Sequence, residues 1–107
     1  MRAKYRRMLR GLGEDGHVGG DWSVYVACCG DGSYYTGVAK DVAARLKTHN
    51  AGKGAAYTRS RRPVRLLYSE VGLSRSEALV REARIKGFSR SRKEQLVAGG
   101  ARSKLLK

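Results

Sequence analysis

The sequence predicts a small mixed α/β domain, and three observations lead there. Two β-favouring runs meet across the break Gly30-Asp31-Gly32. Two capped stretches carry helical apolar spacing, and the further apolar run VRLLYSEV lies between them. With 107 residues, 41% of them hydrophobic, the chain supports one domain with a single modest core. Three strands are too few for a doubly wound sheet.

Taken in order, residues 1–21 divide into the basic MRAKYRRMLR and the Gly- and acid-rich GLGEDGHVGGD. They are expected to form a flexible leader; a short terminal helix carrying Tyr5, Met8 and Leu9 is the alternative. The ordered domain is expected over residues 22–98, followed by a fraying basic tail over 99–107. Trp22 to Cys29 reads as one strand and Ser33 to Ala39 as the next. In DVAARLKTHNAG, Asp41 caps a helix, Val42 and Leu46 pair at i,i+4, and Gly52 ends it. GKGAAYTRSRRP reads as a cation-rich loop and VRLLYSEV as the third strand. SRSEALVREARIKGF opens with a capping box, Ser74 to Glu77, and a second box, Ser91 to Glu94, starts a last helix that Gly99 stops.

Charge narrows the function class. The balance of 23 Lys+Arg against 9 Asp+Glu, a net +14, points to a polyanion, nucleic acid first, because each phosphate met by a cation releases counterions. The basic residues are spread over several elements, which disfavours a membrane surface. No apolar run reaches the roughly 18 residues of a membrane span, and MRAKYRRMLR lacks the apolar stretch of a secretory signal, so an intracellular, cytoplasmic protein is expected. Cys28 and Cys29 are adjacent and form no disulfide framework. With only His17 and His49 besides, no zinc spacing exists. Any metal would need carboxylate oxygen, which suits magnesium or manganese.

Register decides what Tyr25 and Tyr35 can do. A two-residue loop sends them to opposite faces of the sheet. A three-residue Gly-Asp-Gly loop with Gly32 left-handed sets Tyr25 opposite Gly37 and Tyr35 opposite Ala27, with both rings on one face. The three-residue loop is favoured. On spacing alone the pair could equally be two packing tyrosines.

Arg45 and His49, an i,i+4 pair, border the Val42/Leu46 stripe, as a functional pair or as an arginine that snorkels beside a space-filling histidine. On the long helix Ala78, Leu79 and Ile85 mark the apolar face and Glu82 projects from its middle, with Glu77, Arg81 and Arg84 opposite. An inward carboxylate needs a compensating charge, either a salt bridge, for instance to Arg45, or a divalent cation shared with water and a substrate phosphate. Lys53, Arg59, Arg61 and Arg62 around Tyr57 suit a grip on a nucleic-acid backbone or single strand, the alternative being a solvated charged loop. GKG lacks the spacing of a Walker loop.

Together these residues resemble the GIY-YIG nucleases. VYV at 24–26 stands for the first motif and YTG at 35–37 for the second, followed by Arg45, the stretch HNAGKGAAYTRSRRPV and Glu82. The resemblance spans roughly residues 22–98 and is nearest to small stand-alone bacterial-type members. Ser23 and Val24 replace the first tripeptide's Gly and Ile, and no asparagine occurs among residues 86–98, where several relatives carry one.

The resemblance implies a central three-stranded antiparallel sheet flanked by helices, and hydrolysis of a DNA phosphodiester with one Mg2+ or Mn2+. It implies that Glu82 holds the metal, that Arg45 neutralises charge on the phosphate and that Tyr25 orients or deprotonates water. Tyr35 and His49 then position water and phosphate. Lys40, Lys53, Tyr57, Arg59, Arg61, Arg62 and Lys86 are the expected DNA contacts. Structure-selective or single-strand-directed cleavage in DNA repair or processing is the expected role, associated with the nucleoid when bound to DNA. A non-catalytic nucleic-acid-binding module on the same scaffold is the rival reading, and an accessory subunit activated by a protein partner a third.

Overall fold

The computed structural model describes residues 20–99. Nearly all of the expected flexible leader, with its alternative terminal helix and His17, and nearly all of the expected tail lie outside the described residues. Within them the order is β1 (Trp22–Cys28), β2 (Tyr34–Ala39), α1 (Val42–Asn50), α2 (Ala56–Arg59), β3 (Arg65–Leu73), α3 (Arg75–Lys86) and α4 (Arg90–Ala98). The strands form one antiparallel sheet in the order β2-β1-β3. No helix among the described residues is long and apolar enough to cross a membrane.

The hairpin takes the odd-length turn. Gly32 N donates to Cys29 O at 2.9 Å, Cys29 N donates to Ser33 O at 2.8 Å, and Gly32 has φ +85°, a value that suits glycine. The register that follows pairs Tyr25 with Gly37 and Ala27 with Tyr35.

Strand alternation then separates two layers. Val24 and Val26 point to one side, packed with Tyr68 and Ile85 and bordered by Phe88, Leu96 and Val97 of the C-terminal segment. Tyr25, Ala27 and Cys29 point to the other, with Tyr35 and the Val42/Leu46 stripe of α1 against them. Ile85 is fully buried, so truncating it to alanine costs about 2–5 kcal/mol.

Asp41 caps α1 by accepting from Ala44 N at 3.0 Å, and Gly52 follows its end at φ +81°. Ser74 and Glu77 form the expected capping box on α3. That box corrects the helix-face reading: folding back onto Ser74 N at 2.8 Å buries Glu77 to 1% exposure, whereas Leu79 stays 37% exposed. Arg81 also leaves the expected outer cluster. It grips Glu70 of β3 through Nε and Nη2, while Tyr68 donates to the same carboxylate, locking α3 to the strand. The last helix is capped by Ser89, which accepts from Arg92 N at 3.1 Å, and not by Ser91. Starting two residues earlier leaves Glu94 free to pair with Arg90. The expected loop after α1 contains the one-turn helix α2, too short for periodicity to reveal.

Candidate active site

The shared face of β1 and β2 brings the two tyrosines together, with ring centroids 6.3 Å apart and planes inclined by 46°. Their approach depends on Gly37. A Cβ there would stand 2.7 Å from the Tyr25 hydroxyl oxygen and 2.8 Å from its ring carbon Cζ. The glycine of YTG is thus the floor on which the Tyr25 phenol lies.

His49, in the last turn of α1, is completely buried, and both ring nitrogens are satisfied. Nε2 lies 2.8 Å from the Tyr25 hydroxyl and Nδ1 lies 2.8 Å from Thr58 Oγ1. The Thr58 hydroxyl in turn donates to Ala55 O at 2.9 Å. A carbonyl only accepts, so the network gives the threonine proton to Ala55. Thr58 Oγ1 then accepts from His49 Nδ1–H, and the bare Nε2 accepts from Tyr25 O–H. One directed chain runs Tyr25 to His49 to Thr58 to Ala55. Gly54 makes room for it, since a Cβ there would sit 2.3 Å from His49 Nδ1. Within the Gly-Lys-Gly segment, Gly54 thus provides space for the histidine.

Burial keeps both rings neutral at pH 7. Burial pushes the Tyr25 phenol up to about 12; Tyr35 adds to the rise, the Arg45 guanidinium opposes it by hydrogen bond and charge, and Glu82 adds a smaller increment. Burial also holds His49 below its ordinary 6.5, with the positive charge of Arg45 acting in the same direction. Arg45 itself is exposed, so its guanidinium faces both solvent and the phenol. Of the expected Arg45/His49 pair, one residue belongs to the core and the other to the surface.

Glu82 is drawn in, its side chain 19% exposed, but the compensating cation is neither Arg45 nor any cluster of protein ligands. Glu82 Oε2 lies 3.2 Å from Lys86 Nζ, one helical turn along. Among the described residues no three His, Cys, Asp or Glu side chains converge on a metal position. The donor chemistry nevertheless fits a magnesium-like ion. Such ions keep several waters and take one or two carboxylates plus substrate phosphate oxygens, and the Lys86 side chain, 55% exposed, can swing away from Glu82.

The expected DNA contacts fall into two groups. Lys53 and Arg59 are exposed, Arg59 lining an open surface pocket with Asn50, Ser60, Arg62 and Pro63. Others are tied into the structure. Lys40 lies over the Trp22 ring, and Lys86 sits on Glu82. Arg62 donates to Arg59 O and Asn50 O. Arg61 pairs with Asp31 at 3.1 Å and covers the Tyr57 ring at 3.9 Å. Tyr57 also packs, offset and near-parallel, against Tyr35, centroids 6.2 Å apart and planes at 22°. Tyr57 is thus held between Arg61 and Tyr35 while 39% of it stays exposed. Sequence reasoning missed Thr58, Gly54 and Asp31. No local pattern marks them, because their partners are 9, 5 and 30 positions away.

Several known proteins resemble this chain in sequence or fold. The family described as the GIY-YIG catalytic domain matches residues 21–95. A UPF0213 protein of Staphylococcus aureus is 54% identical over 74 residues, which cover 69% of this chain and 90% of that one. A protein of E. faecalis solved by NMR in solution is 38% identical, covers 76% of this chain and 88% of its own, and superimposes with a TM-score of 0.51. The solution structure of a UPF0213 protein from Bacillus halodurans is 48% identical over 72% of this chain and 82% of its own, with a TM-score of 0.48. The chain belongs to the GIY-YIG family, a superfamily of nucleases.

Proposed function

We propose that this chain is a divalent-metal-dependent endonuclease that hydrolyses DNA phosphodiester bonds, with structured or single-stranded DNA as substrate and repair or processing as its role. The observation that carries the reading is the Tyr25 hydroxyl held 2.8 Å from His49 Nε2, with an exposed Arg45 beside it and the charge of Glu82 within reach. A neutral phenol with a pKa near 12 is a poor base by itself, but this phenol already points its proton at an acceptor. As water attacks phosphorus, its proton passes to the Tyr25 oxygen while the Tyr25 proton passes to His49 Nε2. The bond from phosphorus to the 3′ oxygen breaks, and that oxygen takes a proton from solvent. The products are a 5′-phosphate and a 3′-hydroxyl.

Arg45 has two effects in this scheme. Its planar guanidinium neutralises charge on the non-bridging oxygens. Before substrate arrives, the same charge depresses the proton affinity of His49. A phosphate bound against Arg45 cancels that field, so His49 becomes a better acceptor when one is needed. Tyr35 borders water and phosphate from the β2 side. Glu82 would hold one Mg2+ or Mn2+, which when bound polarises the phosphate and stabilises the leaving oxygen.

The test incubates labelled single-stranded, duplex and branched DNA with and without Mn2+, comparing the natural chain with Glu82→Ala. Metal-dependent cleavage lost in the variant is expected. Equal cleavage by both proteins contradicts the role of Glu82, and salt-sensitive binding without any cleavage favours the non-catalytic module.

A further inference from the structure

The β1–β2 turn and α2 meet at a point that the proposed chemistry does not use. Asp31 sits at the tip of the turn, where one carboxylate oxygen accepts from Ser33 N at 3.0 Å and Ser33 Oγ at 2.6 Å. Its other oxygen accepts from Arg61 Nε at 3.1 Å. Arg61 also donates through Nη1 to Tyr57 O at 2.8 Å, and its guanidinium carbon lies over the Tyr57 ring, 3.9 Å from its centroid. Backbone contact supports the junction, Gly30 N donating to Arg61 O at 2.6 Å. The Tyr57 ring packs, offset and near-parallel, beside Tyr35, centroids 6.2 Å apart, and Tyr35 meets His49 edge-on at 5.1 Å.

Charge makes this arrangement informative. In a chain of net +14 built to meet a polyanion, a carboxylate beside the site repels the substrate, so its use must lie elsewhere. An arginine that only gripped phosphate would also not spend its fork on an aspartate and a carbonyl while its face is stacked.

We propose that Asp31, Arg61 and Tyr57 form a clamp that positions the Tyr35 ring in the active site, Asp31 orienting Arg61, Arg61 pressing on Tyr57, and Tyr57 backing Tyr35. This rests on the nuclease reading for its effect on rate, but not for its effect on the ring. All three are positioning residues, and α2 becomes the element that supports both sides of the site: Tyr57 backs Tyr35 and Thr58 holds His49.

The test uses the full chain with Asp31→Ala, Arg61→Lys, Tyr57→Ala and Tyr57→Phe. Arg61→Lys keeps the charge but loses the planar fork. In the DNA-free protein, aromatic NMR reads the contact between the Tyr35 and Tyr57 rings. The clamp predicts that this contact weakens and the Tyr35 resonances shift in Asp31→Ala and Arg61→Lys. It predicts that Tyr57→Phe restores the Tyr35 environment lost in Tyr57→Ala. With DNA, the single-turnover cleavage rate falls by up to about a hundredfold, the scale of a misplaced positioning group, while DNA affinity in Asp31→Ala is unchanged or tighter. Unaltered Tyr35 signals in both Asp31→Ala and Arg61→Lys overturn the clamp whether or not the protein cleaves DNA. Weaker single-strand binding by Tyr57→Ala with Tyr35 undisturbed also overturns it, in favour of base stacking. Shifted Tyr35 signals in a chain that cleaves nothing support the clamp and contradict the nuclease reading instead.

Discussion

Replacing Thr58 by valine keeps the shape of the side chain and removes the hydroxyl on which the orientation of His49 depends. Thr58 is fully buried, and its oxygen serves His49 Nδ1 and Ala55 O. Ala55 O loses little, because it still accepts from Thr58 N at 3.1 Å and Arg59 N at 3.2 Å. His49 Nδ1 has no such reserve, so one buried polar group is orphaned, costing about 1–3 kcal/mol. For a domain of this size each kcal/mol lowers Tm by about 4–8 °C. The histidine can soften the loss by moving its proton to Nε2, but Nε2 then donates to the Tyr25 oxygen and the phenol proton must turn away. Thermal unfolding reads the stability, and nitrogen-15 NMR of the His49 ring reads the tautomer. The expectation is a lower Tm, a proton moved to Nε2 and loss of cleavage, with Thr58→Ser restoring the tautomer. A valine variant with unchanged Tm and His49 still protonated at Nδ1 would refute the directed chain.

Three further outcomes follow from the same geometry. Gly37→Ala brings a methyl group against the Tyr25 hydroxyl; overpacking of this kind costs about 1–3 kcal/mol and separates Tyr25 from His49, seen as a lower Tm together with a shifted His49 spectrum. Stability is also pH-dependent through His49, whose folded pKa lies below 6.5. The unfolded chain binds the proton more readily, so the His49 contribution is complete above about pH 7 and fades as pH falls below 6.5; urea unfolding across pH 5 to 7.5 should show a shallower slope in His49→Gln. At the alkaline end the sign reverses. The Tyr25 phenol, raised to about 12, contributes stability below pH 10 that is lost as pH climbs towards 12, and Tyr25→Phe should remove that part of the decline.

Much of the architecture is legible in the chain because local chemistry determines it. Gly-Asp-Gly fixes an odd-length turn, the turn fixes the register, and the register places both tyrosines against α1. Asp41 and Ser74 mark helix starts because short polar side chains cap nearby backbone donors. Ser91 misleads because Ser89 offers the same cap two residues earlier, and nothing local ranks the two. Glu77 misleads in another way. A helical wheel sends it outward, but the capping box turns its carboxylate back onto the helix end. The parts least visible in the sequence are those made by distant pairing. Thr58 reaches His49 from a helix of four residues, Asp31 reaches Arg61 across 30 positions, and Lys86 in place of Arg45 meets Glu82. Each contact is settled by how α1, α2 and the sheet pack, which periodicity does not encode.

The most direct test of the account compares Tyr25→Phe with the natural chain on the same labelled DNA, in Mn2+, by single-turnover cleavage and equilibrium binding. The account predicts that removing this one hydroxyl lowers the cleavage rate by at least about a hundredfold, the scale of a lost general base, while DNA affinity stays the same. Cleavage at the natural rate by Tyr25→Phe would contradict it.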